Sequence, residues 1–208
     1  MSEPKKVAVI AGANRGLGSA LCVQLVERGF HVAALGREAA VHSVATEVSG
    51  VMAVSCELTA PSQVDRAFSD VEAALGPATV VVYNAHRVEL RASGETSLEL
   101  FEELWRVNCY GAFVVAKRAV PAMLAQGGGT CIFSGATGSV RGGQRSAAFA
   151  SSKFALRGLA QSLARELSPV GIHVAHVVLP EPKSSCSGAP STWAPCIAAS
   201  GHGSAHLA

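Results

Sequence analysis

Residues 6–18 read KVAVIAGANRGLG and limit the possible folds more than any other stretch. Val7, Ala8, Val9 and Ile10 form a short unbroken apolar run. Such a run suits a strand buried on both faces, as in a parallel sheet. Gly12, Gly16 and Gly18 follow at the spacing G-x-x-x-G-x-G. Leu17, Leu21, Val23, Leu25 and Val26 predict a helix that begins inside this glycine set. One glycine then permits a tight turn, one lets a pyrophosphate approach the backbone, and one lets the helix pack on the strand. The helix start offers free N–H groups and a partial positive charge to phosphate. A glycine turn without a ligand is the plain alternative. The strand–turn–helix context favours a dinucleotide.

The rest of the chain repeats the alternation. Strands are predicted over 30–35, 51–55, 79–83, 130–134 and 172–179, with helical stretches between them. Those stretches are 38–48, 61–75, a long one over 98–126 punctuated near Gly111, and 147–168. Pro61 suits a helix start, where its missing N–H is not needed. Residues 135–146 read as a loop containing glycine and arginine. Strands alternating with helices imply right-handed βαβ units: an α/β, doubly wound parallel sheet of Rossmann type, in the order 3-2-1-4-5-6. Ligand then binds at the carboxyl ends of the strands, near the crossing of strands 1 and 4.

At 208 residues the chain suits one main domain over 1–180. From 181 to 208 there are three prolines, six serines and three glycines without a period, which predicts a loosely ordered tail. A net charge of +2 gives no argument for nucleic acid or an anionic membrane. No apolar run approaches a membrane span. Six cysteines without a C-x-x-C pair, after a poor signal peptide, suit reduced thiols and a cytoplasmic location. Seven histidines show no ligand spacing, so no metal is expected.

Five motifs in order resemble the short-chain dehydrogenase/reductase family, over about residues 6–180. The first is Gly12-Ala13-Asn14-Arg15-Gly16-Leu17-Gly18. Tyr83-Asn84-Ala85-His86 resembles the family's Asn-Asn-Ala-Gly element. Asn108, in WRVNCYGAF, matches an active-site asparagine in a long helix. Phe149-Ala150-Ser151-Ser152-Lys153 stands where the family has Tyr-x-x-x-Lys. GIHVAHVVLP resembles the strand before the family's Pro-Gly turn. The resemblance implies hydride transfer between a nicotinamide cofactor and a carbonyl or alcohol. It makes Lys153 the ribose-binding and pKa-lowering residue, and Asn108 the holder of a relay water.

Three departures qualify that expectation. The family's proton-carrying tyrosine is Phe149, and a phenyl ring has no exchangeable proton. The family's substrate-holding serine is Ala136, with Ser134, Thr137 and Ser139 as nearby hydroxyls and Ser134 the candidate. The Pro-Gly turn reads Leu179-Pro180, and the family's following helix and final strand have no visible counterpart in the tail. Weak activity is therefore expected. The alternatives are a non-catalytic NADP(H)-binding member and a truncated product without efficient turnover.

The second strand ends at Gly36-Arg37, where a carboxylate would bind the ribose hydroxyls of NAD. Arg37 and Arg15 instead suit the 2′-phosphate of NADP. With Gly12, Asn14, Gly16, Leu17, Gly18 and Asn84, they complete the expected cofactor set; Glu57 is placed near the adenine by resemblance. Arg141 and Arg145 read as a solvated loop, His86 as space-filling, and His173 and His176 as structural. The two long helices resemble the family's dimerising pair, so a homodimer acting on a small-molecule substrate is expected.

Overall fold

The computed structural model describes residues 6–179. The predicted tail, and the expected lack of a last helix and strand, lie outside the described residues. Six strands form one parallel sheet: β1 (Val7–Ala11), β2 (His31–Gly36), β3 (Val51–Ser55), β4 (Val80–Tyr83), β5 (Gly129–Ala136) and β6 (Ile172–Leu179). Their order is β3-β2-β1-β4-β5-β6, as expected from the alternation. Six α-helices lie between them: α1 (Leu17–Glu27), α2 (Glu38–Glu47), α3 (Pro61–Ala74), α4 (Leu98–Trp105), α5 (Gly111–Ala125) and α6 (Ala147–Leu167). Among the described residues no helix is long and apolar enough to cross a membrane.

The apolar runs are explained by their two faces. Val7, Val9 and Ala11 join Val81, Tyr83, Phe68, Val115 and Leu156 in one core, on the side of α3, α5 and α6. Ala8 and Ile10 join Val80, Val82, Leu21, Leu25 and Val41 in the other, beneath α1 and α2. Neighbours along one strand thus feed opposite layers, so both faces of β1 and of the start of β4 are apolar. Burying each Val, Leu or Ile contributes about 1.5–3 kcal/mol.

Strand ends set the positions of the site. Ala11 pairs with Leu35 on one side and Tyr83 on the other. Beyond them, the Gly12 N–H donates to Leu35 O at 2.7 Å, and the Asn84 N–H to Ala11 O at 2.7 Å. The chain leaves β1 and β4 side by side at their carboxyl ends.

Two elements differ from the sequence expectation. β5 runs two residues past Ser134, because Gly135 pairs with Val178 and Ala136 with Leu179. Gly135 is there for contact, since a Cβ would overlap the His176 ring. The helix predicted over 98–126 is two helices joined by a π-turn, Arg106–Tyr110. Gly111, at its end, leaves room for the Tyr83 hydroxyl, which would collide with any Cβ. That hydroxyl donates to Val107 O at 2.6 Å, tying β4 to the turn.

Candidate active site

The glycine turn puts three backbones in close contact. Gly12 has φ +90°, and a Cβ there would run into the Ala85 backbone. Gly18 sits so close that a Cβ would lie 2.9 Å from Ala13 Cα. Gly16 precedes α1 with φ +91° and no side-chain cap, and no acidic residue stands in the first turn. The Ser19 N–H donates to Asn14 O at 2.8 Å, which leaves the N–H groups of Leu17 and Gly18 for an external acceptor, and a phosphate satisfies them. Asn14 and Arg15 are exposed on this turn, with Leu17 half-buried behind them.

Asn84 begins the second cluster. Its Nδ2 donates to Gly12 O at 3.1 Å, and its Oδ1 accepts from Ser134 Oγ at 3.0 Å. Ser134 O in turn accepts from Lys153 Nζ at 2.9 Å. One continuous network thus ties the glycine turn to β4, β5 and α6. Lys153 is buried, and desolvation pushes its amine down to about 8.

Asn108 is fully buried in the π-turn. Its Oδ1 accepts from the Arg87 N–H at 2.8 Å. Its Nδ2 donates to Arg87 O at 3.0 Å and to Ser152 Oγ at 2.9 Å. The extra residue of a π-turn moves a side chain off the regular helical face, and such turns recur at functional sites. Here it lets one amide clamp the β4 loop to α6. Phe149 and Lys153 lie on that part of α6, four residues apart.

Phe149 is half-buried, and a Cβ at Gly138 would sit 3.0 Å from its ring. The ring therefore packs on the short turn Thr137–Ser139 that follows Ala136. Two of the nearby hydroxyls are committed elsewhere. Ser134 is turned to Asn84, and Ser139 Oγ accepts from the Ala136 N–H at 3.1 Å. Thr137 is half-buried, without a side-chain partner among the described residues. Neither tyrosine replaces the phenol: Tyr83 is buried and held by Val107, with its ionisation pushed upward by desolvation. Tyr110 stacks on Trp105 and lies under Arg106. Buried Cys22, Cys56 and Cys131 are held as thiols, with burial raising them to about 12, 11 and 12.

Of the other expected residues, Arg37 and Glu57 follow β2 and β3, and Arg15 stands on the glycine turn. Arg37 is exposed at the start of α2 and makes no ion pair among the described residues. Arg15 is also exposed and pairs with Glu47 at 3.3 Å. Glu57 accepts from the Thr59 N–H and hydroxyl at 3.1 and 2.9 Å. Arg145 pairs with Glu95 at 3.6 Å, away from these groups.

Two polar residues were given no site role by sequence. Ser152 is fully buried, accepts from Asn108 and donates to Phe149 O at 2.7 Å. Its signal was spacing: Ala148, Ser152, Leu156 and Ala160 form the buried row of α6. His176, read as structural, lies against Gly135 with Nε2 buried and without a protein partner among the described residues. Burial, then the charges of Lys153 and Arg157, push its imidazole down to about 4.

A doubly wound parallel sheet with a glycine turn after β1 and an Asn–Ser–Lys network at the carboxyl ends of β4 and β5 defines a nucleotide-binding fold of Rossmann type. A family model described as short chain dehydrogenase matches residues 6–189. The 3-oxoacyl-acyl-carrier-protein reductase MabA of Mycobacterium tuberculosis is 36% identical over 172 residues, 83% of this chain and 67% of the relative. A short-chain dehydrogenase crystal structure from Rhodopseudomonas palustris superposes with TM-score 0.77 at 32% identity, covering 84% and 85% of the two chains. An actinorhodin polyketide ketoreductase variant with NADPH gives TM-score 0.81 at 27% identity, covering 84% and 69%. The chain belongs to the short-chain dehydrogenase/reductase family.

Proposed function

We propose that this chain is an NADP(H)-dependent oxidoreductase that interconverts a small carbonyl compound and its alcohol, with slow turnover. The observation that carries this reading is the network from the glycine turn through Asn84 and Ser134 to the buried amine of Lys153. It supports a ribose-binding lysine fixed beside a phosphate-binding helix start. The residues present fit the coenzyme. The uncapped start of α1 suits the pyrophosphate, and Arg37 and Arg15 at the end of β2 and in the turn suit a 2′-phosphate. NADPH would supply a hydride. This chain would bind and orient the coenzyme, and supply or remove a proton at the substrate oxygen.

Slow turnover follows from hydrocarbon at Phe149 and Ala136 and from the committed hydroxyls of Ser134 and Ser139. The same facts favour a second reading, a non-catalytic NADP(H)-binding protein. NADPH oxidation with a panel of ketones and aldehydes separates the two. The first reading expects slow, substrate-dependent oxidation, and the second expects binding alone. Arg37→Glu should weaken NADPH binding about tenfold or more while sparing NADH, because it sets a carboxylate against the 2′-phosphate. An unchanged preference would remove Arg37 from the site.

Large apolar side chains on α4, α5 and α6 (Phe101, Trp105, Phe113 and Phe154) stay about two-fifths exposed. They support self-association as a homodimer. Sedimentation at micromolar concentration should give twice the chain mass; a monomer throughout that range would contradict it.

A further inference from the structure

We propose that His86 is the proton donor and acceptor of this site, in the role that a phenol at position 149 would otherwise fill. The inference rests on the NADP(H)-dependent reading above. His86 is exposed at the carboxyl end of β4, two residues beyond Asn84. Its Nδ1 lies 3.0 Å from Asn84 O. A carbonyl oxygen only accepts, so Nδ1 carries the proton of that bond. This leaves Nε2 as the working nitrogen, without a protein partner among the described residues.

Its neighbours hold it in place on both sides. Ala85 abuts Gly12 of the glycine turn, and both backbone groups of Arg87 are clamped by Asn108. Three hydrogen bonds connect His86 to Lys153: His86 Nδ1 to Asn84 O, Ser134 Oγ to Asn84 Oδ1, and Lys153 Nζ to Ser134 O. The imidazole is therefore fixed to the same frame as the lysine. The charged group beside it in the chain is Arg87, paired with Glu89 and Glu103, and Lys153 stands at the far end of that network.

The step balances. In carbonyl reduction the carbonyl carbon gains the hydride supplied by NADPH, forming a C–H bond, and the C=O π pair moves onto oxygen. His86 Nε2–H gives that oxygen its proton. The donor is the imidazolium, so the products are the alcohol, oxidised coenzyme and neutral imidazole, and a hydronium ion from solvent restores the imidazolium.

The test compares the parent with His86→Gln, which keeps a polar side chain that does not titrate. Calorimetry with NADPH and a melting curve come first, and both should match the parent. NADPH should also slow carbethoxylation of His86 by diethyl pyrocarbonate several-fold, read by peptide mass. Single-turnover NADPH oxidation should fall about 10–100-fold in His86→Gln, its pH profile should flatten, and Phe149→Tyr in that background should restore it. Equal rates and equal pH profiles would overturn the inference, as would a parent that binds NADPH, gives no turnover and shows no protection of His86. Absence of NADPH binding to the parent would instead remove the underlying reading, and the inference with it.

Discussion

Phe149→Tyr is expected to raise NADPH-dependent turnover by about 10–100-fold. A positioned general acid is typically worth about 10²–10⁴-fold, and His86 already supplies part of that. Residue 149 faces the Thr137–Ser139 turn and stands one helical turn before Lys153. A hydroxyl added to this half-buried ring would lie on the same helix face as the lysine amine. That amine, held at Ser134 O, would favour the phenolate by its charge. The double variant with Ala136→Ser should gain further, because Ala136 ends β5 and carries no hydroxyl. Unchanged turnover in both, with NADPH binding intact, would show that the missing phenol is not what limits the rate.

Lys153→Met is expected to make the coenzyme-free protein more stable near pH 7 and to abolish much of its NADPH affinity. Burial lowers the amine from 10.5 to about 8, so the folded state holds its proton less tightly than the unfolded state. Between those values the unfolded chain binds more protons, and stability rises with pH. Below about 8 the full penalty applies, roughly 3 kcal/mol at about 1.4 kcal/mol per pH unit. Methionine removes that penalty and fills similar volume, but leaves Ser134 O without the amine. The parent should gain thermal stability between about pH 8 and pH 10 relative to the variant. Parallel melting profiles over that range would contradict a strained, buried amine.

Much of the frame was legible from residues alone, for physical reasons. Continuous apolar runs such as VAVI and VVV have no polar face, so they fit only a strand covered on both sides. Gly12 and Gly18 could be read as contact points because they fall between a buried strand and an apolar helix. The strand order then followed from the doubly wound arrangement that this alternation implies.

What was not legible depends on contacts distant in sequence. Gly135 looked like loop, yet it is strand because it pairs with Val178, and it is glycine because a side chain would overlap His176. Gly111 looked like helix punctuation, yet it answers to the Tyr83 hydroxyl. Asn108 was visible as an odd polar residue in an apolar stretch, but its π-turn and its clasp on Arg87 and Ser152 were not. His86 and Ser134 looked like filler and hydroxyl donor. Their meaning comes from Asn84, which bonds both.

Isothermal calorimetry of the unmodified protein with NADPH, and then with NADH, tests the central claim most directly. The account predicts one site per chain, binding NADPH more tightly than NADH, with the difference lost in Arg37→Glu. No heat with either coenzyme, at protein concentrations that keep the fold intact, would contradict it.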